Sequence, residues 1–257
     1  VLAAGVCAQP AKKEFEPQIG QEGKDVIWVP TPQGLIEKML DMAKVTSADY
    51  VMDLGSGDGR TVIMAAKRGA RATGIEYNPD MVELSKRNAE KAGLAGKANF
   101  MKADLFESDF SEATVITMYL LPTINMKLRP KILDLKPGTR IVSHAFNMDE
   151  WSADQTDSFE GRTAYMWIVP AKVEGTWQFA QGELSLKQSF QMVTGTLKAG
   201  GNTVAVTNGK LRGDQLSFSA GNSEYTGRVN GSTIEGTSKG ASTGPWSANR
   251  MGAKPAK

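Results

Sequence analysis

The chain has 257 residues, 40% of them hydrophobic and 23% charged, and a formal net charge of +2. This composition is ordinary for a globular protein and long enough for one large or two modest domains. The near-zero charge makes no demand for a nucleic acid or an anionic membrane, so no nucleic-acid partner is expected. No apolar run approaches the length of a transmembrane helix. One cysteine excludes an intrachain disulfide, and one cysteine with one histidine leaves too few ligands for zinc, so no metal is expected.

In chain order, residues 1–8 are small and apolar and residues 9–13 polar. They read as the tail of a secretory signal cut after Ala8, or as a plain disordered tail, which leaves cytoplasmic and exported locations both open. Residues 1–24 as a whole read as a flexible arm, with Pro10, Pro17, Gly20 and Gly23 breaking any periodicity. Trp28-Val-Pro-Thr-Pro32 leads into a helical pattern with Leu35, Met39 and Ala43 on one face. Thr31 suits the N-cap and Pro32 the first helical position.

Next comes VMDLGSGDGR at positions 51–60. Apolar residues run into Asp53, glycines follow at 55, 57 and 59, and a helical pattern covers 61–67. Strand, glycine turn and helix N-terminus together make a seat for a nucleotide-like ligand. The dinucleotide fingerprint is G-x-G-x-x-G, whereas here the spacing is G-x-G-x-G with a carboxylate in front. Asp53 would repel a pyrophosphate and suits a ligand carrying an ammonium group and a sulfonium centre. Glu76 ends the second strand and can accept from both ribose hydroxyls. Asp104 follows the third strand and can accept from an adenine amino group. Three acids at the carboxyl ends of three successive strands make one constellation.

Asn78-Pro79 starts the helix after the second strand and Gly93 ends it. A fourth strand is expected over 113–121, a helix over 125–135 with Pro130 early in it, a fifth strand over 139–146 and a sixth over 163–169. From about residue 171 helical periodicity disappears. Eight short alternating runs separated by turns, with Gly213-Asp214 and Asn230-Gly231 as tight hairpins, predict an all-β meander or small barrel. The expected division is an arm (1–24), an α/β unit with a doubly wound sheet (25–170), a β-rich unit (171–251) and a tail (252–257).

The acids, their order and the glycine spacing resemble the class I S-adenosylmethionine-dependent methyltransferases. Over residues 25–150 the Trp28–Pro32 segment, Met118-Tyr-Leu-Leu-Pro122 and Leu135-Lys-Pro-Gly-Thr-Arg-Ile-Val-Ser143 resemble the seven-strand lysine methyltransferases that modify the ATP synthase c-subunit and the adenine nucleotide translocase. Small bacterial relatives with an extra C-terminal segment are similar too. A histone enzyme of the same fold differs after the fourth strand, so histone specificity is not carried over. The resemblance implies S-adenosyl-L-methionine as cofactor, held by Thr31, Asp53, Gly55, Ser56, Gly57, Gly59, Glu76, Asn78, Asp104 and Leu105. It implies an amine acceptor entering beside Tyr119, whose ring and hydroxyl could guide it. His144 is either a general base or a pocket wall, Asp58 and Arg60 ligand contacts or a solvated turn, and Asp149 and Trp151 an acceptor pocket or a surface loop. The acceptor could be a protein lysine or a small molecule. A non-catalytic binding protein with a β recognition unit is the remaining alternative.

Overall fold

The computed structural model describes residues 14–180 and 182–252. The signal-like residues 1–8, with Cys7, lie outside the described residues. Five parallel strands form the heart of the first sheet: β1 (Tyr50–Leu54), β2 (Arg71–Glu76), β3 (Ala98–Lys102), β4 (Val115–Met118) and β5 (Arg140–His144). Two antiparallel strands, β6 (Gln155–Phe159) and β7 (Arg162–Ile168), complete the order β3-β2-β1-β4-β5-β7-β6. The strand order reverses between β1 and β4, the switch point at which ligands bind in open α/β sheets. A strand buried on both faces is a near-continuous apolar run, and β1, apart from Asp53, shows how the sequence meets that need. Val51 packs toward the helices α1 (Gln33–Met42), α2 (Arg60–Lys67) and α3 (Pro79–Lys91), while Met52 and Leu54 pack toward α4 (Pro122–Leu133) with Phe110 and Trp151.

Four expectations are corrected. Thr31 does not cap α1, because Pro32 is the N-cap and makes no side-chain cap bond. Helix α4 starts at Pro122, so Pro130 sits in its last turns, where it supplies no N–H to the ladder. β6 has no counterpart in the sequence reading, since QTDSF is polar and lacks apolar alternation, as an exposed edge strand can. The hairpin near 231 turns on Gly231 and Ser232 rather than on Asn230 and Gly231, because Asn230 pairs with Thr233.

The rest of the chain is a closed antiparallel barrel: β8 (Gly175–Phe179), β9 (Gly182–Ser189), β10 (Met192–Ala199), β11 (Asn202–Arg212), β12 (Gln215–Ala220), β13 (Ser223–Asn230), β14 (Thr233–Gly240) and β15 (Gly244–Arg250). Strands follow chain order, and β15 closes the barrel on β8 with Ala248 opposite Phe179. Period-two alternation turns Trp177, Phe218, Tyr225 and Trp246 into the interior, where the Phe218 and Tyr225 rings stack at 4.8 Å. Small barrels fill their interior with side chains. The barrel touches the first sheet through Ala171 N–H donating to Gly213 O (2.9 Å) and Gln191 Nε2 donating to Ser152 O (2.7 Å). Among the described residues no helix is long and apolar enough to cross a membrane.

Candidate active site

A cavity of about 260 Å³ opens at the carboxyl ends of β1, β2 and β4. Its floor is the glycine loop. Gly55, Gly57 and Gly59 have φ of 77°, 54° and 82°, a left-handed backbone that glycine adopts at no steric cost. Two of these glycines also answer to the protein's own packing. A Cβ at Gly57 would lie 2.6 Å from the Trp28 indole nitrogen, and one at Gly59 would lie 2.7 Å from the Phe100 ring. Close approach of a ligand is therefore not their only reason.

The loop's hydrogen bonds discriminate between ligands. Gly55 and Ser56 N–H both donate to Ile75 O (2.9 and 3.0 Å), Gly59 N–H donates to Ser56 O (2.9 Å), and Gly57 N–H donates to Glu76 Oε2 (2.9 Å). A phosphate seat needs bare amides pointing at the ligand, and here these four are spent internally. What faces the cavity is negative. Asp53 is 6% exposed; burial pushes its carboxyl up to about 7, opposed by a hydrogen bond from Thr117 Oγ1 (2.6 Å) and assisted by the nearby charges of Glu76 and Asp58. A buried carboxylate with no cation beside it fits a cationic ligand, because the incoming charge relieves the burial cost. The donor set therefore fits an ammonium-bearing and sulfonium-bearing group and does not fit a pyrophosphate.

Glu76 is held by two backbone amides, Gly57 N–H on one oxygen and Asn78 N–H (2.9 Å) on the other, so its orientation is fixed before any ribose arrives. Asn78 also caps α3 through Oδ1, accepting from Asp80 N–H at 2.9 Å. Asp104 accepts from Phe106 N–H (2.9 Å) and from Lys24 Nζ (2.6 Å); the lysine first, then the amide, hold its carboxyl below the usual range. Lys24 belongs to a hairpin over residues 20–28, closed by Gly20 N–H to Trp28 O and Trp28 N–H to Gln21 O (both 2.9 Å), which lies along the cavity.

The opposite side is aromatic. Tyr119 follows β4, stacks on Phe146 (centroids 6.1 Å apart) and lies against the tilted His144 ring (3.8 Å). His144 is 2% exposed; burial, then the charge of Arg162, pushes its pKa down to about 4, which leaves the ring neutral at physiological pH. Its Nδ1 is hydrogen-bonded to Thr31 Oγ1 at 3.0 Å, which explains why Thr31 is drawn away from capping.

Thr31, Asp53, Gly55, Ser56, Gly57, Glu76, Asn78, Asp104, Leu105 and Tyr119 all line this cavity. Gly59 does not; it faces Phe100 and Ser85 behind the loop. The Ser56 hydroxyl is buried against Gly74 with no hydrogen-bond partner. Asp58 and Arg60 line the cavity mouth as a forked ion pair (2.6 Å). His144 stands behind Tyr119 rather than at the cavity surface. Trp151 is buried away from it, against Trp167 and Phe190, and Asp149 is exposed. Sequence reasoning missed Lys24, Trp28, Thr117 and Phe146. Trp28 had a visible signal in the Trp-Val-Pro-Thr-Pro run; Thr117 is set by strand register opposite Asp53, and Phe146 sits in the segment after β5 that Asn125 holds.

A doubly wound sheet, a switch-point cavity and an acid-lined glycine loop define a class I S-adenosylmethionine-dependent methyltransferase. The family model of the ANTKMT methyltransferase domain matches residues 53–155. A protein-lysine N-methyltransferase of Saccharolobus islandicus is 42% identical over 151 residues, 56% of this chain and 94% of that protein. The mouse lysine N-methyltransferase of the ATP synthase c-subunit is 35% identical over 130 residues, and the chain spans only 52% of its length. A solved structure described as an RNA methyltransferase from Salinibacter ruber, in complex with S-adenosyl-L-homocysteine, shares 50% identity at a TM-score of 0.55. It covers 56% of this chain and 96% of its own. The chain belongs to this methyltransferase family.

Proposed function

We propose that the chain methylates the side-chain amine of protein lysines, with residues 25–170 as the transferring unit and 171–251 as an appended β unit. The reading rests on the aromatic wall of Tyr119 and Phe146 beside the acid-lined cavity. Aromatic faces attract an alkylammonium and tolerate the neutral amine that must form before attack, since lysine's reference pKa is about 10.4. The neutral His144 ring behind Tyr119 adds no charge that would oppose an approaching cation. The name of the Saccharolobus islandicus relative supports the same acceptor.

In this reading Asp53 and the loop carbonyls hold the methionine portion of S-adenosylmethionine, Glu76 the ribose, and Asp104 with Leu105 the adenine. Thr31, Gly55, Ser56, Gly57 and Asn78 complete the contacts. The bound cofactor supplies a methyl carbon activated by its sulfonium, so the protein needs alignment and water exclusion more than acid–base groups. The Tyr119 hydroxyl and ring orient the acceptor nitrogen, and its proton leaves to solvent.

The test is a cell lysate incubated with isotopically labelled methyl donor, then divided between protease, ribonuclease and small-molecule extraction. The proposal expects protease-released label in methyllysine. Label released by ribonuclease would favour RNA, the substrate class in the description of the Salinibacter ruber structure. Label confined to metabolites would favour the small-molecule alternative. Either result overturns the lysine reading.

A further inference from the structure

The barrel's β9–β10 hairpin pairs Ser189 with Met192, so Phe190 and Gln191 form a two-residue turn. Phe190 has φ of +52°, unfavourable for a bulky residue. In four later hairpins of the same barrel the corresponding first turn residue is glycine: Gly200, Gly213, Gly221 and Gly231, with φ between 56° and 62°. That is the residue such turns ordinarily take. Here an aromatic stands where four sister turns use glycine.

The ring reaches the first sheet. It stacks on Trp151 with centroids 6.0 Å apart and planes 10° from parallel, and the Arg129 guanidinium lies over it at 5.2 Å. Next to it Gln191, buried, donates from Nε2 to Ser152 O. Arg129 Nη1 in turn donates to Met148 O (3.0 Å), and Trp151 N–H donates to the same carbonyl (3.2 Å). One helical turn earlier on α4, the fully buried Asn125 donates from Nδ2 toward Phe146 O and Asn147 O (3.3 and 3.2 Å). The segment so held contains two further left-handed residues, Ala145 (φ 65°) and Asp149 (φ 54°). Strained backbone persists only where its surroundings over-determine it. This segment carries Phe146, the partner of Tyr119 on the cavity wall.

We propose that the barrel braces the acceptor wall, with Phe190 as a positioning residue acting through Trp151, Arg129 and the Met148 carbonyl on Phe146. The barrel thereby becomes part of the transferase rather than a passenger. Phe190 touches neither cofactor nor acceptor, so its removal leaves the cofactor side of the cavity unchanged and loosens the acceptor side. The inference rests on the reading of Tyr119 and Phe146 as acceptor walls.

The test uses the full chain with Phe190→Gly, which deletes the ring while relieving the backbone, and Phe190→Tyr, which keeps the stack. Amide hydrogen exchange in Phe190→Gly is expected to quicken about tenfold over residues 145–151 and to stay unchanged over 53–59. Affinity for S-adenosyl-L-homocysteine stays within about twofold while KM for poly-L-lysine rises by about tenfold, and Phe190→Tyr restores both exchange and KM. Unchanged exchange over 145–151 in a folded Phe190→Gly protein overturns the brace, and so does an equal loss of cofactor affinity, which would mark a general destabilisation. If the native protein leaves poly-L-lysine unmethylated, KM is read on the protein fraction that takes up label in the lysate experiment, and the exchange comparison still decides the brace. Should Phe190→Gly not fold, Arg129→Gln, which removes the guanidinium linking the ring to Met148 O, is expected to give the same exchange pattern.

Discussion

With Asp53 holding the cofactor's ammonium group, as proposed above, cofactor binding is coupled to proton release. Burial, above all, raises the Asp53 carboxyl from 3.8 to about 7. Keeping it ionised above that pH costs the empty protein about 4 kcal/mol. The sign follows from proton counts. Between about pH 4 and pH 7 the folded state binds more protons at this group than the unfolded state, so its contribution to stability is fully present at low pH and is lost as pH rises toward 7. A cationic ligand reverses the preference by favouring the carboxylate. Binding of S-adenosyl-L-homocysteine, which carries an ammonium group, should therefore release about 0.9 proton at about pH 6 and almost none at about pH 8. Its Kd should weaken by about tenfold per pH unit below 7. Calorimetry in two buffers of different ionisation heat counts the protons directly. Asp53→Asn should flatten this pH dependence and weaken binding at about pH 8 by about tenfold to a hundredfold, the worth of a hydrogen bond to a charged group. The same change should stabilise the empty protein at about pH 8 by up to about 4 kcal/mol in denaturant unfolding, since the neutral amide escapes the burial cost. Proton release of zero at about pH 6, or an Asp53→Asn protein that binds like the native one, would refute the reasoning.

The sole histidine gives a clean spectroscopic signal: the His144 imidazole should stay neutral in NMR titration down to about pH 5, and an inflection near 6.5 would contradict its burial. Lys24→Met should speed release of S-adenosyl-L-homocysteine in stopped-flow measurements, because the Asp104 bond helps seat the 20–28 hairpin; an unchanged off-rate counts against that role. Gly59→Ala forces a Cβ to 2.7 Å from the Phe100 ring at φ of +82° and should cost about 2–4 kcal/mol of stability by denaturant unfolding. Trp177→Ala empties a fully buried site in the barrel, severs its Nε1 bond to Val173 O (2.8 Å), and should cost about 3–5 kcal/mol in the same measurement.

Much of this architecture was legible because it is written in local pattern. Apolar runs ending in Asp53, Glu76 and Asp104 marked three parallel strands and the edge at which their acids meet. Alternation between short turns, most of them glycine-bearing, marked the eight barrel strands. The misreadings share a cause, which is that partners distant in sequence decided the outcome. Thr31 looked like a cap until His144, 113 positions away, took its hydroxyl. β6 is polar and exists because β7 pairs with it. Thr117 acquires its place from register opposite Asp53, and Phe146 from the segment after β5 that Asn125 holds, neither of which any spacing in one sequence reveals. Phe190 was legible only as the end of an alternating run; that it leaves the barrel to meet Trp151 needs three dimensions.

Closure of β15 on β8 has a consequence for how this chain emerges from a ribosome. All seven strands of the first sheet lie before residue 169, whereas the barrel's seam joins residues 177–179 to residues 248–250. Vectorial synthesis thus delivers the first sheet complete while the barrel still has two raw edges, and such edges invite pairing with other nascent chains. Only when β15 docks on β8 is that hazard removed.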